Sequence, residues 1–502
     1  MTNEIAGKNP ASAGQKEGEI IRDATALSAT LYVSQALYMI RGFIIARVLG
    51  PSLYGVWSIF RIFLSSAPYF GLGVQQAMTR EIPLSMGEGD ESKVPVITQT
   101  SLFWNILITS CVMVIAFILS FTSFIAEYNI EVRLAGFVFM LNAVYLFIKS
   151  KLVGEKNFVL LSKFIFSYSV LNTFFVLGLL FFLKVQGILL GMMISQLILL
   201  AVIVFKGNLS FHLMIDRRVL WKLINIGFPI MILSSIFFLM RNIDKFIVIA
   251  MLGKTMAGYY GLAAFISSMV SYISYSISTV LLPRMMYKYG KTGDAKNIEM
   301  YFTKPMIILT GFIPIILGII YINIDIVVKL FLPQYIPSIT VLHILIVSLF
   351  FSTIWGIPTN LLIALNKQKM FMLIMSGILS FIIVLDIVII KMGFGMNGVA
   401  VSTTFMFLIA SAIASSLALS FFKYKVKQIW KKLGLIYFPF VYLFGGLMII
   451  MAIQISRYTV IDNIVKSLAF IALSVPIIFY TEKKSNIISK TFAALKIFKR
   501  KN

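Results

Sequence analysis

Long apolar runs, separated by short polar interruptions, dominate the chain from end to end. A helix crossing the hydrocarbon core of a bilayer needs roughly 20 mostly apolar residues. Fourteen such runs are predicted, near 26–48, 54–75, 96–120, 133–150, 158–182, 186–205, 223–251, 257–281, 304–322, 338–364, 371–390, 397–420, 434–455 and 463–480. The first 24 residues are polar and mixed in charge, without the basic, apolar, small-residue order of a cleavable signal peptide. The chain is therefore expected to start inside, and an even number of crossings returns the C-terminus inside. The fold class is an all-α polytopic membrane protein.

Composition removes the competing classes. Of 502 residues, 59% are apolar and 13% charged, and the mean hydropathy is +0.94; a soluble domain is about a quarter charged. One cysteine, Cys111, excludes a disulfide framework or a cysteine-based metal cluster, and with two histidines no metal or cofactor is expected. The formal charge of +25, from 44 basic and 19 acidic residues, could suggest nucleic acid. Its placement argues otherwise. Arg133, Lys184, Lys254, Lys329, Lys391, Arg457 and Lys466 fall in outer segments, Arg41, Arg47, Arg61, Arg241 and Lys245 within spans, and the other 32 in inner segments. That bias orients the chain with both termini cytoplasmic, in the cell (inner) membrane. No nucleic-acid partner is implied.

The loops are too short for appended domains. The longest outer loop, about 323–337, leaves no room for an extracellular domain. The longest inner ones, 76–95, 206–222 and 282–303, cannot hold a nucleotide-binding domain. Gly290-Lys291-Thr292 looks like the tail of a P-loop, but Met285 stands where its first glycine belongs. The outer carboxylates Glu127, Glu131, Asp325 and Asp462 are scattered over three loops, which disfavours an enzyme. The basic tail, Lys483 to Lys501 with interspersed apolar residues, fits either a helix lying on anionic lipid or a plain topology anchor.

An internal repeat organises the spans. Leu49-Gly50-Pro51-Ser52-Leu53-Tyr54-Gly55 matches Leu252-Gly253-Lys254-Thr255-Met256-Ala257-Gly258 at an offset of 203. Arg80 matches Arg284, and Gly89-Asp90 matches Gly293-Asp294, at 204. Gly187-Ile188 matches Gly398-Val399, and Lys156 falls on Lys367, at 211. The reading is a cytoplasmic tail at 1–24, an N-lobe of six spans at 25–206, a linker at 207–222, a C-lobe of six spans at 223–421, two further spans over 422–480 and a basic tail at 481–502. Six spans per repeat is even, so the two pseudo-symmetric lobes run parallel around a central cleft.

Polar residues at helical spacing mark faces that avoid lipid. Span one carries Thr30, Ser34, Tyr38 and Arg41; span two Tyr54, Ser58, Arg61 and Ser65. Span seven carries Ser234, Arg241 and Lys245 with Asp244 beside them; span eight Ser267, Ser271, Ser274 and Ser278. Small polar residues also serve helix packing, and the serine stripe fits that reading as well as a cleft lining. Intramembrane arginines fit it less well, because a charge at mid-depth costs several kcal/mol without a partner. At 1.5 Å per residue, Arg41, Arg61, Arg241 and Asp244 sit at a common level, roughly 10–15 Å from the outer surface. Asp386 in span eleven is either a proton or sodium site or a hydrogen-bonded structural acid. His343, Asn105, Asn142, Asn172 and Asn360 read as interhelical hydrogen-bonders, and Pro68, Pro229, Pro314 and Pro358 as kinks.

The string Ala46-Arg47-Val48-Leu49-Gly50-Pro51-Ser52-Leu53-Tyr54-Gly55, followed by Gly71-Leu72-Gly73 and Arg80, resembles polysaccharide-biosynthesis flippases of the Wzx type. These belong to the multidrug/oligosaccharidyl-lipid/polysaccharide (MOP) exporter superfamily. Asp244-Lys245, Leu252-Gly253, Gly258-Tyr259-Tyr260 and Leu282-Pro283-Arg284 extend the resemblance to the second lobe, over about 20–420. It implies translocation of a polyprenyl-diphosphate-linked oligosaccharide between leaflets, with membrane lipids, a polysaccharide polymerase and chain-length machinery as partners. It assigns substrate binding to Arg41 and Arg61, and to Arg241 and Lys245 in the second lobe. Asp244 and Asp386 are candidates for gating or ion coupling, and Ser34, Tyr38, Ser58, Ser65, Ser234, Ser271 and Ser274 for lining. A multidrug/cation antiporter of the same fold is the rival, against which the basic cleft argues; a membrane-embedded glycan polymerase is a weaker one.

Overall fold

The computed structural model describes residues 10–90, 92–205, 214–453 and 459–485, and their side chains apart from those at 10–26, 87, 124–125, 270–280, 283 and 459. All regular structure among the described residues is helical. In chain order the helices are α1 (Pro10–Ser65), α2 (Val74–Gly87), α3 (Lys93–Leu119), α4 (Asn129–Gly154), α5 (Phe158–Phe205), α6 (Arg217–Met240) and α7 (Ile243–Thr292). They continue with α8 (Glu299–Phe331), α9 (Ile339–Ile354), α10 (Gly356–Ala364), α11 (Gln368–Lys391), α12 (Gly395–Phe421), α13 (Val426–Ala452) and α14 (Thr459–Ser485).

Among the described residues, twelve helical stretches are long and apolar enough to cross a membrane, so the chain is a multi-pass membrane protein. Two of them, Leu27–Tyr69 with 43 residues and Phe158–Phe205 with 48, are about twice the length that one crossing needs. Each is broken inside, at Gly50 and at Lys184. Counting both halves of each gives the fourteen predicted spans.

The repeat is visible in the backbone. Gly50 (φ 68°, ψ 171°) and Gly253 (φ 84°, ψ 175°) break α1 and α7 in nearly the same conformation. That region is open essentially to glycine alone. Gly89 (φ 77°) and Gly293 (φ 64°) repeat the left-handed turn further on. The later match shifts by one residue. The positive-φ residue after α4 is Lys156, but that after α10 is Asn366. The Asn157 N–H donates to the Leu152 carbonyl as Lys367 N–H does to Leu362, so Lys367 corresponds to Asn157. Lysines recur at this end of the helices under the charge bias, which makes them poor markers of register.

Three expected boundaries move. The segment 76–95, expected as a loop, is mostly α2, while span two is interrupted earlier, between Ser65 and Val74. The segment 282–303 is largely the end of α7, and span seven is broken at Arg241–Asn242. Asp462 and Lys466, expected at an outer loop, form a buried pair on α14 at 2.8 Å.

The chain divides into two compact units. One comprises Met1–Leu49 and Trp57–Phe238; the other comprises Gly50–Val56 and Leu239–Asn502. In the first, Met78, Ile82, Phe147, Ile148, Phe164 and Leu223 belong to one apolar core. The interruption of span two needs partners for its freed carbonyls, since lipid offers none. Side chains supply them: Asn142 Nδ2 donates to Leu64 O at 2.9 Å, Gln76 Nε2 to Pro68 O at 3.1 Å, and Trp104 Nε1 to Gly71 O at 3.1 Å. Gly73 and Gly227 then abut backbone to backbone, and a Cβ on either would overlap the other. Asn105 bonds the Ala143 carbonyl at 3.1 Å, also across helices. Asn172 instead donates to Tyr168 on its own helix, and the Asn360 amide nitrogen has no partner among the described residues.

In the second unit α13 and α14 pack on α8 around Ile322, Leu443, Leu447 and Phe470. Gly318 lies against the Phe470 ring, and Asn463 Nδ2 donates to Ile322 O at 2.6 Å. His343 Nε2 approaches Asp325 Oδ1 at 3.1 Å, with its ring stacked on Tyr321 at 4.1 Å. The two repeated turns also meet in this unit, reciprocally. A Cβ on Gly55 would overlap the Lys254 carbonyl, and a Cβ on Gly258 would overlap the Pro51 carbonyl. Tyr335 closes over them, edge-on to Tyr54 at 5.9 Å and to Tyr259 at 6.1 Å. Gly258→Val is therefore expected to destabilise the protein by about 1–3 kcal/mol or more, through overpacking against rigid backbone. Gly290→Ala, with open space around it, should leave stability unchanged or slightly raised. Thermal unfolding of the two detergent-purified variants checks the contrast.

Candidate functional site

The first unit gathers polar side chains around Arg41. Ser34, Tyr38 and Arg41 recur on α1 at helical spacing, and α5 brings Tyr168, Ser169, Asn172 and Gln196 to the same region. The Arg41 guanidinium lies over the Tyr38 ring, 4.9 Å from its centroid. Ser169 Oγ donates to the Tyr38 hydroxyl at 3.1 Å. Asn172 Nδ2 and Gln196 Nε2 both reach the Tyr168 hydroxyl at 3.4 Å. Tyr38, Tyr168 and Arg61 are the groups within electrostatic reach of Arg41. Its Nε and Nη1 are buried and have no hydrogen-bond partner among the described residues, and neither has Ser34 Oγ.

That arrangement is unusual for a charge inside a membrane protein. Buried arginines normally spend their forked donors on a carboxylate or carbonyls. Here the ring face of Tyr38 offers only a cation–π contact, worth about 0.5–2 kcal/mol. Two donors are left pointing at no protein acceptor. The site is chemically suited to a planar or tetrahedral oxyanion, which a guanidinium binds with two parallel hydrogen bonds.

The other first-unit candidates scatter. Arg61 is half-buried and engaged by other groups. Ser58 is buried. Ser65 is exposed and bonds back to Ile62 O of its own helix at 2.8 Å. Ser234 does the same to Ile230 O at 2.9 Å.

The second unit holds a different chemistry. Where span seven breaks, Arg241 is exposed and Lys245 is buried. Lys245 Nζ donates to the freed Arg241 carbonyl at 2.5 Å and lies 3.3 Å from Asp244 Oδ1. Asp244 Oδ1 also accepts the Lys245 backbone N–H at 2.9 Å, in the first turn of α7 where the helix dipole favours an anion. Asp244 Oδ2 accepts from the Tyr260 hydroxyl at 2.7 Å, with Thr403 Oγ1 3.5 Å away. Next to Thr403, Ser402 Oγ donates to Asp386 Oδ1. Asp386 is fully buried, and its Oδ2 has no hydrogen-bond partner among the described residues. The five side chains Asp244, Tyr260, Asp386, Ser402 and Thr403 come from α7, α11 and α12. Ser271 and Ser274 lie outside the described side chains; their neighbour Ser267 is buried with its Oγ unpartnered.

Sequence reasoning found Arg41, Tyr38, Asp244 and Asp386 but missed Tyr168, Gln196, Tyr260, Ser402 and Thr403. Tyr168 and Asn172, four residues apart on α5, carried the same signal as the α1 stripe.

A family profile described as "polysaccharide biosynthesis protein" matches residues 44–340, more than half of the chain. The chain belongs to the polysaccharide biosynthesis protein family. Among solved structures, the fold is similar to the lipid II flippase MurJ in an inward closed conformation. The TM-score is 0.65 at 16% identity, over 91% of this chain and 99% of that one. An inward-facing multidrug resistance MATE transporter of the MOP superfamily aligns at TM-score 0.64 and 14% identity, over 79% of this chain and 98% of that one. A MOP superfamily transporter from Pyrococcus furiosus aligns at 0.60 and 15%, over 81% and 96%. No curated protein sequence matches the chain. The fold is thus that of MOP transporters and flippases, as the resemblance implied.

The oxyanion reading predicts that inorganic diphosphate binds the purified protein and that Arg41→Ala weakens it by about 10- to 100-fold, the loss of charge-assisted hydrogen bonds. Arg133→Ala, which removes a guanidinium engaged with Ser120 and the Phe117 and Phe121 rings, should leave that affinity unchanged. Isothermal titration calorimetry measures both.

Proposed function

We propose that this transporter is a flippase for a polyprenyl-diphosphate-linked oligosaccharide, a repeat unit of a surface polysaccharide, carried from the inner to the outer leaflet. The observation that carries the reading is Arg41, a half-buried membrane-span residue whose guanidinium Nε and Nη1 are buried with no acceptor among the described residues. A diphosphate is the anion that such a fork fits, and the surrounding tyrosines, serine and amides suit a hydrated glycan. The polyprenyl chain needs no polar site, since it stays in lipid. Arg61 adds charge to the same cluster.

Placing one uncompensated charge at mid-bilayer costs about 2.5–3.5 kcal/mol on the insertion scale. Binding a diphosphate recovers that cost, so the empty and loaded states differ strongly in energy at this residue. This is the differential interaction that alternating access requires. The second-unit acids supply the coupling: Asp386, with an open oxygen, takes up a proton or cation, and Asp244 answers through Ser402, Thr403 and Tyr260. Lys245 and Arg241, which the resemblance assigned to substrate, are read more economically as closing the break in span seven. The basic ends of the helices face the cytoplasm, which puts both termini inside the cell membrane and leaves polymerase and chain-length proteins to act on the product outside.

The second reading is a cation antiporter, in which the Asp244–Asp386 pair holds the cargo; the open oxygen of Asp386 favours it. The Arg41 cluster has no task in that scheme. Two variants separate the readings. Arg41→Ala with Arg61→Ala, at normal expression, is expected to abolish export and to accumulate lipid-linked repeat units on the inner leaflet. Arg41→Lys should restore only part, because an ammonium lacks the fork. Unimpaired export by the double variant would overturn the flippase reading. Asp386→Asn should slow export while leaving diphosphate binding intact.

A further inference from the structure

The first unit contains a second basic feature, remote in sequence from Arg41. Between α4 and the two halves of α5 lies a cavity of about 130 Å³. Its walls include Lys151, Lys163 and Ser167, with Phe164, Leu199 and Ile203 among the apolar ones. We propose that it is a specific binding site for an anionic phospholipid, with the phosphate held by Lys151 and Lys163 and an acyl chain on the apolar wall.

Depth matches a lipid. Lys151 sits three residues before the end of α4 at Gly154, and Lys163 five residues after the start of α5 at Phe158. At 1.5 Å per residue both lie about 5–8 Å below the helix ends, at headgroup level once their stems reach outward. Ser167 is one turn deeper. Leu199 and Ile203 come from the far end of α5 and return to the same level. The cavity is therefore cationic at its mouth and apolar beneath, the polarity gradient of a phospholipid.

Charge fixes the sign of the headgroup. Lys163 has no hydrogen bond or ion pair among the described residues and is exposed. Lys151 has one acidic neighbour, Glu155, at 3.6 Å, which is long for an ion pair. Lys156 in the following turn adds another positive charge. Three lysines against one glutamate leave an excess that a zwitterionic headgroup cannot balance. Lysines serving topology alone need no cavity below them. Here both stems form the wall of one, and Ile148, Leu152 and Phe164 beside it belong to the unit's apolar core. Basic pockets between membrane helices on the cytoplasmic side bind anionic headgroups in this way. A bound lipid would fill the cavity and so stabilise the unit.

The proposal is independent of the transported cargo. The test uses the full-length protein in mild detergent, with dioleoylphosphatidylglycerol, dioleoylphosphatidylcholine or inorganic phosphate added. Native mass spectrometry counts retained lipid and thermal unfolding measures stabilisation. Phosphatidylglycerol is expected to be retained preferentially and to raise Tm by about 2–4 °C. Lys151→Gln with Lys163→Gln should cut its retention about tenfold. Leu199→Trp, which fills the cavity and keeps both lysines, should do the same. Equal retention of phosphatidylcholine, or undiminished phosphatidylglycerol in both variants, would overturn the site. Phosphate that reproduces the Tm rise and displaces the lipid would replace it with a site for a free anion.

Discussion

A backbone carbonyl or amide left open inside lipid has nothing to bond to, and the architecture depends on how this chain meets that constraint. Unbroken helices satisfy it automatically. Each interruption at membrane depth has to be supplied by side chains or by backbone packed close enough to exclude lipid. The interruption of span two is held by Asn142, Gln76 and Trp104, which donate to three consecutive regions of freed carbonyls. The interruption of span seven is held by Lys245, whose ammonium takes the Arg241 carbonyl. Polar residues that look functional in a sequence are thus divided between two employers, the backbone and the cargo.

This division sorts the charged residues. Lys245 is saturated by neighbours at the helix break, and Asp244 by Lys245 beside it and by Tyr260 and Thr403 from farther along the chain. Among the described residues, Arg41 is met by nothing stronger than an aromatic face, and one oxygen of Asp386 by no hydrogen-bond partner. In a medium where unpaired polar atoms cost several kcal/mol, these are the atoms whose retention needs a reason beyond folding. They lie in different units, and they have opposite formal charge.

Much of this was legible in the sequence because its signals are one-dimensional. Span number follows from run length, and the two long helices hide four spans only because a single residue in each, Gly50 in one and Lys184 in the other, bends it without ending the helix. The repeat was legible through Gly50 and Gly253, where the backbone conformation itself demands glycine. Lys156 and Lys367 misled by one residue because any lysine satisfies the charge bias at that end. The interruption of span two was not foreseen, since Pro68 and Gly71–Gly73 read as the end of a helix, and only tertiary donors reveal that it resumes. The partners of Arg41 and Asp244 were also out of reach. Spacing shows which residues share a face of one helix, but the rotation of α5 and α12 that brings Tyr168 within electrostatic reach of Arg41, and Thr403 to Asp244, is set by packing.

The seven residues Gly50–Val56 belong by packing to a unit otherwise built from Leu239 onwards. Their carbonyls and glycine are half of a reciprocal contact whose other half is the repeated turn at Lys254 and Gly258. The second half of the gene does not encode a self-sufficient body. A chain cut in the linker between the lobes would yield a C-terminal fragment missing a strip of its own wall, with Gly258, Tyr259 and Tyr335 uncovered.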